Sequence, residues 1–266
     1  MSIRIVQVDA FTATPFAGNP AAVCVLPNPA SEAWMQHVAR EMNLSETAFL
    51  VRSGDAWRLR WFTPTVEIAL CGHATLASAH VLWEDQLLPA GSQARFDTMS
   101  GRLTADREGS WIAMDFPAVP VTRVEAPPDL LSALGVTAVV VGKNRMDYLV
   151  EVASEAEVLA VTPDHTRLRR LPVRGVIVTA RAAGSGYDFV SRFFAPGSGV
   201  DEDPVTGSAH CALAPYWAAQ LGRAELVGRQ ASARGGIVKV RAKGDRVILA
   251  GQAVIVLRGE LHVDPD

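Results

Sequence analysis

The sequence predicts an α+β protein of two pseudo-symmetric halves, each a bent, mostly antiparallel sheet wrapped round a central helix. Three observations carry this. First, short segments recur in the same order. Arg60-Trp61-Phe62-Thr63-Pro64 is echoed by Arg192-Phe193-Phe194-Ala195-Pro196, Cys71-Gly72-His73-Ala74 by Thr206-Gly207-Ser208-Ala209, and Gly101 and Gly109 by Gly236 and Gly244. Second, the stretches 74–83 and 209–221 are small or apolar on nearly every side. A helix without a polar face is buried all round, and these two are too short to span a bilayer, so each runs through a curled sheet. Third, the rest of the chain reads as short strand-like runs separated by turn residues.

The elements follow in parallel order. The first half reads as strands at 4–8 and 21–26, a helix at 31–41, a strand at 47–52, the Arg-aromatic-Phe strand, and the helix 74–83. It closes with a strand pair turning at 106–109. The second half reads as strands at 138–141 and 148–152, a short helix at 154–161, a strand at 175–180, the second Arg-aromatic-Phe strand, and the helix 209–221. Its last strand pair turns at 243–245. Pro215 removes an i−4 hydrogen bond inside the second helix and should kink it. The Pro/Val/Ala-rich stretch 117–128 marks the boundary, giving a first half at 1–117, completed by a C-terminal strand at 253–266, and a second half at 118–252.

Composition narrows the function. Among 266 residues, 25 basic groups stand against 28 acidic ones, with 49% hydrophobic and 20% charged residues. That is a well-packed soluble chain, and it excludes a disordered one. The near-neutral balance argues against nucleic acid as a partner, and no apolar run is long enough for a membrane span. The amino terminus lacks a cationic stretch followed by an apolar signal region. Cys24, Cys71 and Cys211 are odd in number and widely spaced, which fits neither a disulfide framework nor a zinc site and points to a reducing, cytoplasmic compartment. With no His-Glu-x-x-His motif, no metal is expected, and neither a phosphate-binding Gly-Lys-Ser/Thr nor a Gly-x-Ser-x-Gly elbow occurs.

Two equivalent helix starts suggest a site between the halves. Each exposes unpaired N–H groups and a partial positive charge, so two facing one cleft would hold a carboxylate without an arginine clamp. Gly72 and Gly207 let an anion approach the backbone, although a glycine there need only permit a tight turn. At the first start, the helix dipole should keep His73 neutral and able to donate or accept a proton, although a lone histidine is more often structural. Asp201 and Glu202 are explained by dipole complementation and capping. Asp203 differs, because Pro204 restricts its backbone and could aim its side chain at the cleft. Ser208 occupies the slot that His73 has in the first half. Glu46 opens an apolar strand, where a solvated carboxylate is the ordinary alternative. Cys71 faces Thr206 in the repeat, so the second thiol of a two-base racemase is missing; Cys24 reads as core, and Cys211 lies inside the helix opposite Leu76.

These segments resemble the PhzF-like (phenazine biosynthesis-like) family, within the diaminopimelate-epimerase fold. The matching stretches are Val8-Asp9-Ala10-Phe11, Phe16-Ala17-Gly18-Asn19-Pro20-Ala21-Ala22-Val23, Leu44-Ser45-Glu46-Thr47-Ala48-Phe49, the two Arg-aromatic-Phe strands, Cys71-Gly72-His73-Ala74-Thr75-Leu76-Ala77 and Asp203-Pro204-Val205-Thr206-Gly207-Ser208-Ala209-His210. The resemblance implies a cofactor-free isomerase, usually a homodimer. In the phenazine enzyme, a glutamate at the Glu46 position shuttles a proton in trans-2,3-dihydro-3-hydroxyanthranilate. Groups at the His73, Asp203 and Ser208 positions bind substrate and assist, and the backbone around Gly72-His73 and Gly207-Ser208 holds its carboxylate. The Cys71–Thr206 pair departs from the two cysteines of diaminopimelate epimerases, and the stretch 207–217 looks like the broad branch outside phenazine synthesis. The resulting expectation is a proton-moving isomerase with Glu46, His73 and Asp203 catalytic, and Gly72, Gly207 and Ser208 binding a small carboxylated substrate. The alternatives are a racemase or epimerase of an amino or hydroxy acid, and a non-catalytic small-acid binding protein.

Overall fold

Short runs of β-branched and aromatic residues form strands, and the central ones, such as β2 and β12, are buried on both faces. The computed structural model describes residues 2–184 and 186–265; residues 1 and 266, the outer ends of the expected first half, lie outside the described residues. In chain order the first elements are β1 (Ile3–Ala10), β2 (Asn19–Leu26), α1 (Glu32–Met42), β3 (Glu46–Ser53), β4 (Ala56–Phe62), β5 (Glu67–Ile68), α2 (Gly72–Glu84), β6 (Ala94–Thr98), β7 (Gly101–Glu108) and β8 (Trp111–Pro117). They continue with β9 (Thr122–Arg123), α3 (Leu130–Leu134), β10 (Val140–Lys143), β11 (Asp147–Glu151), α4 (Glu155–Ala160), α5 (His165–Leu168), β12 (Gly175–Arg181) and β13 (Phe189–Phe194). The last are α6 (Gly207–Leu221), β14 (Glu225–Gln230), β15 (Gly236–Lys243), β16 (Arg246–Gly251) and β17 (Ala253–Leu261). The chain is of the α+β class, and it divides into two units, Met1–Asp115 with Ala250–Asp266, and Phe116–Leu249.

In the first unit, β1 pairs antiparallel with β2 and β17, β2 runs parallel to β3, β3 pairs antiparallel with β4, β4 runs parallel to β6, and β6 pairs antiparallel with β7. In the second, β10 pairs antiparallel with β11, β11 runs parallel to β12, β12 pairs antiparallel with β13, β13 runs parallel to β14, and β14 pairs antiparallel with β15. The sequence of parallel and antiparallel steps is the same in both. The side chains of α2 from His73 to Ala79 and from Val81 to Trp83 are buried, as expected for a helix with no polar face. Both central helices begin two residues earlier than the apolar pattern indicated, at Gly72 and Gly207, because their first turns carry small residues without periodicity. Helix α1 starts where its cap directs, with Ser31 Oγ accepting from Trp34 N–H at 3.2 Å, and ends at Asn43 in the left-handed conformation.

The echoed Arg-x-Phe strands share a packing device. Residues two apart lie on one face of a strand, so Arg60 stacks over Phe62 at 5.2 Å and Arg192 over Phe194 at 4.8 Å. Each guanidinium also takes both oxygens of a glutamate in its own unit, Glu67 and Glu202 respectively. Pro215 lies inside α6, which runs through it; the Cys211 carbonyl it leaves without an intrahelical partner accepts the Val119 N–H at 3.0 Å. Strands β5 and β9 and helices α3 and α5 were not anticipated, being too short to show a period. Among the described residues, no helix is long and apolar enough to cross a membrane.

The turn between β1 and β2 sets their antiparallel register, which pairs Val8 with Ala21, and Ala21 in turn lies beside Glu46 in the parallel β2–β3 pair. Gly18 makes that turn possible: its φ is +66°, and a Cβ there would lie 2.2 Å from the Ala10 carbonyl oxygen. Gly18→Ala is therefore expected to cost at least ~2 kcal/mol, read as a lowered urea midpoint with an unchanged slope.

Candidate active site

Glu46 is the first residue of β3, and Cys71 is the residue capping α2, with Gly72 and His73 opening the helix. The fold brings these four together. Glu46 Oε2 lies 2.9 Å from His73 Nε2, with the side chains 15% and 6% exposed. Cys71 Sγ lies 3.5 Å from His73 Nδ1 on the other side of the ring. The imidazole thus stands between a thiol and a carboxylate. The Glu46–His73 separation is that of an ion pair, but it falls outside hydrogen-bond geometry. Among the described residues, both Oε2 and Nε2 are buried without an aligned hydrogen-bond partner.

The electrostatics of this corner correct one expectation. Burial pulls the His73 pKa down, but the charges of Cys71 and Glu46 and the contacts to both outweigh it and hold the pKa well above the ordinary histidine value. We ascribe the charge on the ring chiefly to Glu46, because burial, and after it the Glu46 charge, pushes the Cys71 thiol up toward its neutral form. The helix dipole that should have kept His73 neutral is therefore overridden by a carboxylate in contact with the ring. The ligand atoms of Glu46, Cys71 and His73 lie within 4.8 Å of one another. Thiol and carboxylate approach different ring nitrogens, so the three are strung through the imidazole rather than gathered on one of its nitrogens.

The second unit carries the other candidates. Gly207 and Ser208 open α6, preceded by Thr206 at its cap position. Asp203 is fixed from two sides: Thr206 Oγ1 donates to its Oδ2 at 2.5 Å, and Gln230 Nε2 donates to its backbone carbonyl at 2.8 Å. Gln230 holds Thr206 in turn, with Oε1 accepting the Thr206 N–H at 2.8 Å and Nε2 donating to Oγ1 at 3.2 Å. Glu202 does not cap the helix as expected, because it is taken by Arg192, and Asp201 lies on the surface near Arg169 and His165. His210 packs against Phe189, and burial lowers its pKa to about 4, so it is neutral. Cys24 and Cys211 are buried, and burial pushes Cys211 up to about 12.

Sequence reasoning missed the groups that hold these residues. Arg174 donates through Nη1 to Ser208 Oγ at 2.8 Å and grips both carboxylate oxygens of Asp147, at 2.9 and 2.5 Å. Asp147 is fully buried, so stripping it of that partner is expected to cost about 3–5 kcal/mol. An isolated arginine or glutamine carries no motif. The available signal was Arg174 immediately before a glycine that opens a strand, at the place in the second half where Glu46 opens a strand in the first.

Comparison with known proteins agrees with this architecture. The phenazine biosynthesis-like protein family matches residues 8–259, and the chain belongs to this PhzF-like isomerase and epimerase family. An uncharacterized isomerase from Halalkalibacterium halodurans is 52% identical over 262 residues, covering 98% of this chain and 99% of that protein. The crystal structure of a PhzF-family protein from Enterococcus faecalis superposes with a TM-score of 0.95 at 42% identity, covering 99% of this chain and all of that one. A hydroxyproline epimerase from Agrobacterium vitis, 10% identical with a TM-score of 0.62 over 98% of this chain and 92% of its own, shares the fold alone.

The His73 shift has a definite sign. A raised folded-state pKa gives stability that is fully present below the ordinary value of 6.5 and is lost as pH rises through the raised value. In a ring-nitrogen NMR titration, His73 is expected to keep its proton above pH 6.5 while His210 is neutral from about pH 5 upward. Glu46→Gln should move the His73 midpoint down; an unmoved midpoint would remove Glu46 as the source of the charge.

Proposed function

We propose that this protein is a cofactor-independent isomerase that moves a proton on a small carboxylated, amino-bearing carbon acid, with Glu46 as the general acid and base. The observation that carries this reading is the buried contact between Glu46 Oε2 and His73 Nε2, two proton-transfer groups removed from bulk water with neither atom in an aligned hydrogen bond. The Glu46 carboxylate takes a proton from carbon and returns it at another position of the same molecule, so no external acid, base or oxidant is consumed. As the proton reaches Glu46, negative charge appears on the substrate, and the imidazolium of His73 stays beside it to stabilise that charge. Asp203 orients the substrate, and Gly72, Gly207 and Ser208 hold its carboxylate, the roles the family resemblance implies. A homodimer and a cytoplasmic location are proposed with it.

A second reading, one-base epimerisation through Cys71, is favoured by the contact of its thiol with His73. The burial that holds this thiol protonated counts against it.

Incubating amino and hydroxy acids with the protein in D₂O, with NMR detection, separates these readings from simple binding, which gives line broadening without label. Glu46→Gln is expected to slow deuterium incorporation at least ~100-fold while ligand binding persists, and Cys71→Ser is expected to leave most of the exchange intact. Wild-type exchange in Glu46→Gln would refute the assignment, and its loss in Cys71→Ser would favour the epimerase.

A further inference from the structure

The Arg174 guanidinium, on a side chain one-third exposed, is held by a carboxylate and an aromatic ring. Its Nε and Nη2 meet the two oxygens of Asp147, whose own backbone N–H is held at 2.8 Å by Asn144 Oδ1. Its face lies over the Phe193 ring at 5.2 Å. That stacking is possible because the next residue is Gly175: a Cβ there would sit 2.4 Å from Phe193 Cζ and 2.9 Å from the Phe194 carbonyl oxygen. What remains is Nη1, which reaches Ser208 Oγ at 2.8 Å.

We propose that Arg174 is a positioning residue that turns the Ser208 hydroxyl into a fixed donor and so makes this corner of the second unit select a carboxylate over its neutral amide. An arginine has no acceptor and does not lose its proton, so in this contact Ser208 Oγ can only accept. The hydroxyl's single proton is then directed away from Arg174. Beside it is the N-terminus of α6, where helix geometry gives the N–H groups of Gly207, Ser208 and Ala209 no intrahelical acceptor, so they too are donors. A set made only of donors suits a group made only of acceptors, and among small-molecule groups that is a carboxylate. Asp147 lets a guanidinium sit at the positive end of a helix, because the paired charges nearly cancel. The corresponding corner of the first unit, with Glu46 and His73 in place of Arg174 and Ser208, carries proton-transfer groups instead. The proposal rests on the reading of Ser208 as a substrate-holding residue.

The test uses anthranilate, a small amino-bearing carboxylate, against its neutral isostere anthranilamide, with both affinities measured by titration calorimetry on the intact protein. The wild type is expected to prefer the carboxylate by about tenfold or more, the difference between charge-assisted and neutral hydrogen bonding. Ser208→Ala, and Arg174→Met made together with Asp147→Asn so that no buried carboxylate is left alone, should bring the ratio close to one. Ser208→Thr, which keeps the hydroxyl, should restore the preference. A merely structural role would weaken both ligands alike and leave the ratio unchanged. An unchanged ratio in the Arg174 double variant overturns the proposal. Should that variant not fold, an unchanged ratio in Ser208→Ala does the same, as does a wild type that shows no preference or binds neither compound. The ratio is independent of turnover: normal exchange in Glu46→Gln with the expected ratios defeats the proton-transfer reading and leaves this one standing.

Discussion

A carboxylate and an imidazole held 2.9 Å apart and nearly out of water are the constraint around which the first unit is built. Taking both from solvent is costly unless each neutralises the other, and the contact yields usable chemistry only if neither group can relax into a better hydrogen bond. Two rigid elements meet that demand. Glu46 is the first residue of a strand locked between β2 and β4, and His73 is the second residue of a helix buried on all sides. Neither backbone can shift without breaking sheet pairing or core packing, so the two side chains are kept close.

The same order of strand pairings is used twice, with different side chains at the two helix starts. In both units a strand that runs parallel to its predecessor begins near the N-terminus of the buried helix, and an Arg-x-Phe strand with a bidentate glutamate follows it. The scaffold residues repeat because the packing problem repeats. The residues at the helix start do not: Cys71 and His73 in one unit stand where Thr206 and Ser208 stand in the other. Side chains at these element ends can thus differ on a common frame, even though Cys71, His73 and Thr206 are buried.

What could be read from the sequence follows from that division. The repeat, the order of the main elements and the two central helices were legible because burial leaves a pattern, either a period or the absence of a polar face, over many residues. Only α2 is buried nearly all round, whereas the last turn of α6 exposes Ala219 and Gln220. Glu46, His73, Gly72, Asp203, Gly207 and Ser208 were legible as candidates through spacing and resemblance. Their partners were not. Arg174 reaches Ser208 across 34 residues and Gln230 reaches Thr206 across 24, by side-chain contacts that no local period encodes. The charge on His73 escaped for the same reason: a helix dipole can be inferred from the chain, but a carboxylate brought from another strand cannot.

The identity of the residue at the Thr206 position bears on which chemistry the family frame supports here. Two-thiol epimerisation needs a second thiol at the start of the second helix, matched to Cys71. Thr206 stands there instead, and its hydroxyl already donates to Asp203 while accepting from Gln230. Cys211 offers no substitute, because it is buried within α6 and its pKa is pushed up to about 12, which leaves it without nucleophilic thiolate near neutrality. A hydroxyl committed to orienting a carboxylate is a structural part rather than a base. With the second thiol absent and the first pushed toward its protonated form by burial, the two-thiol route lacks both of its bases, which supports the role proposed for Glu46.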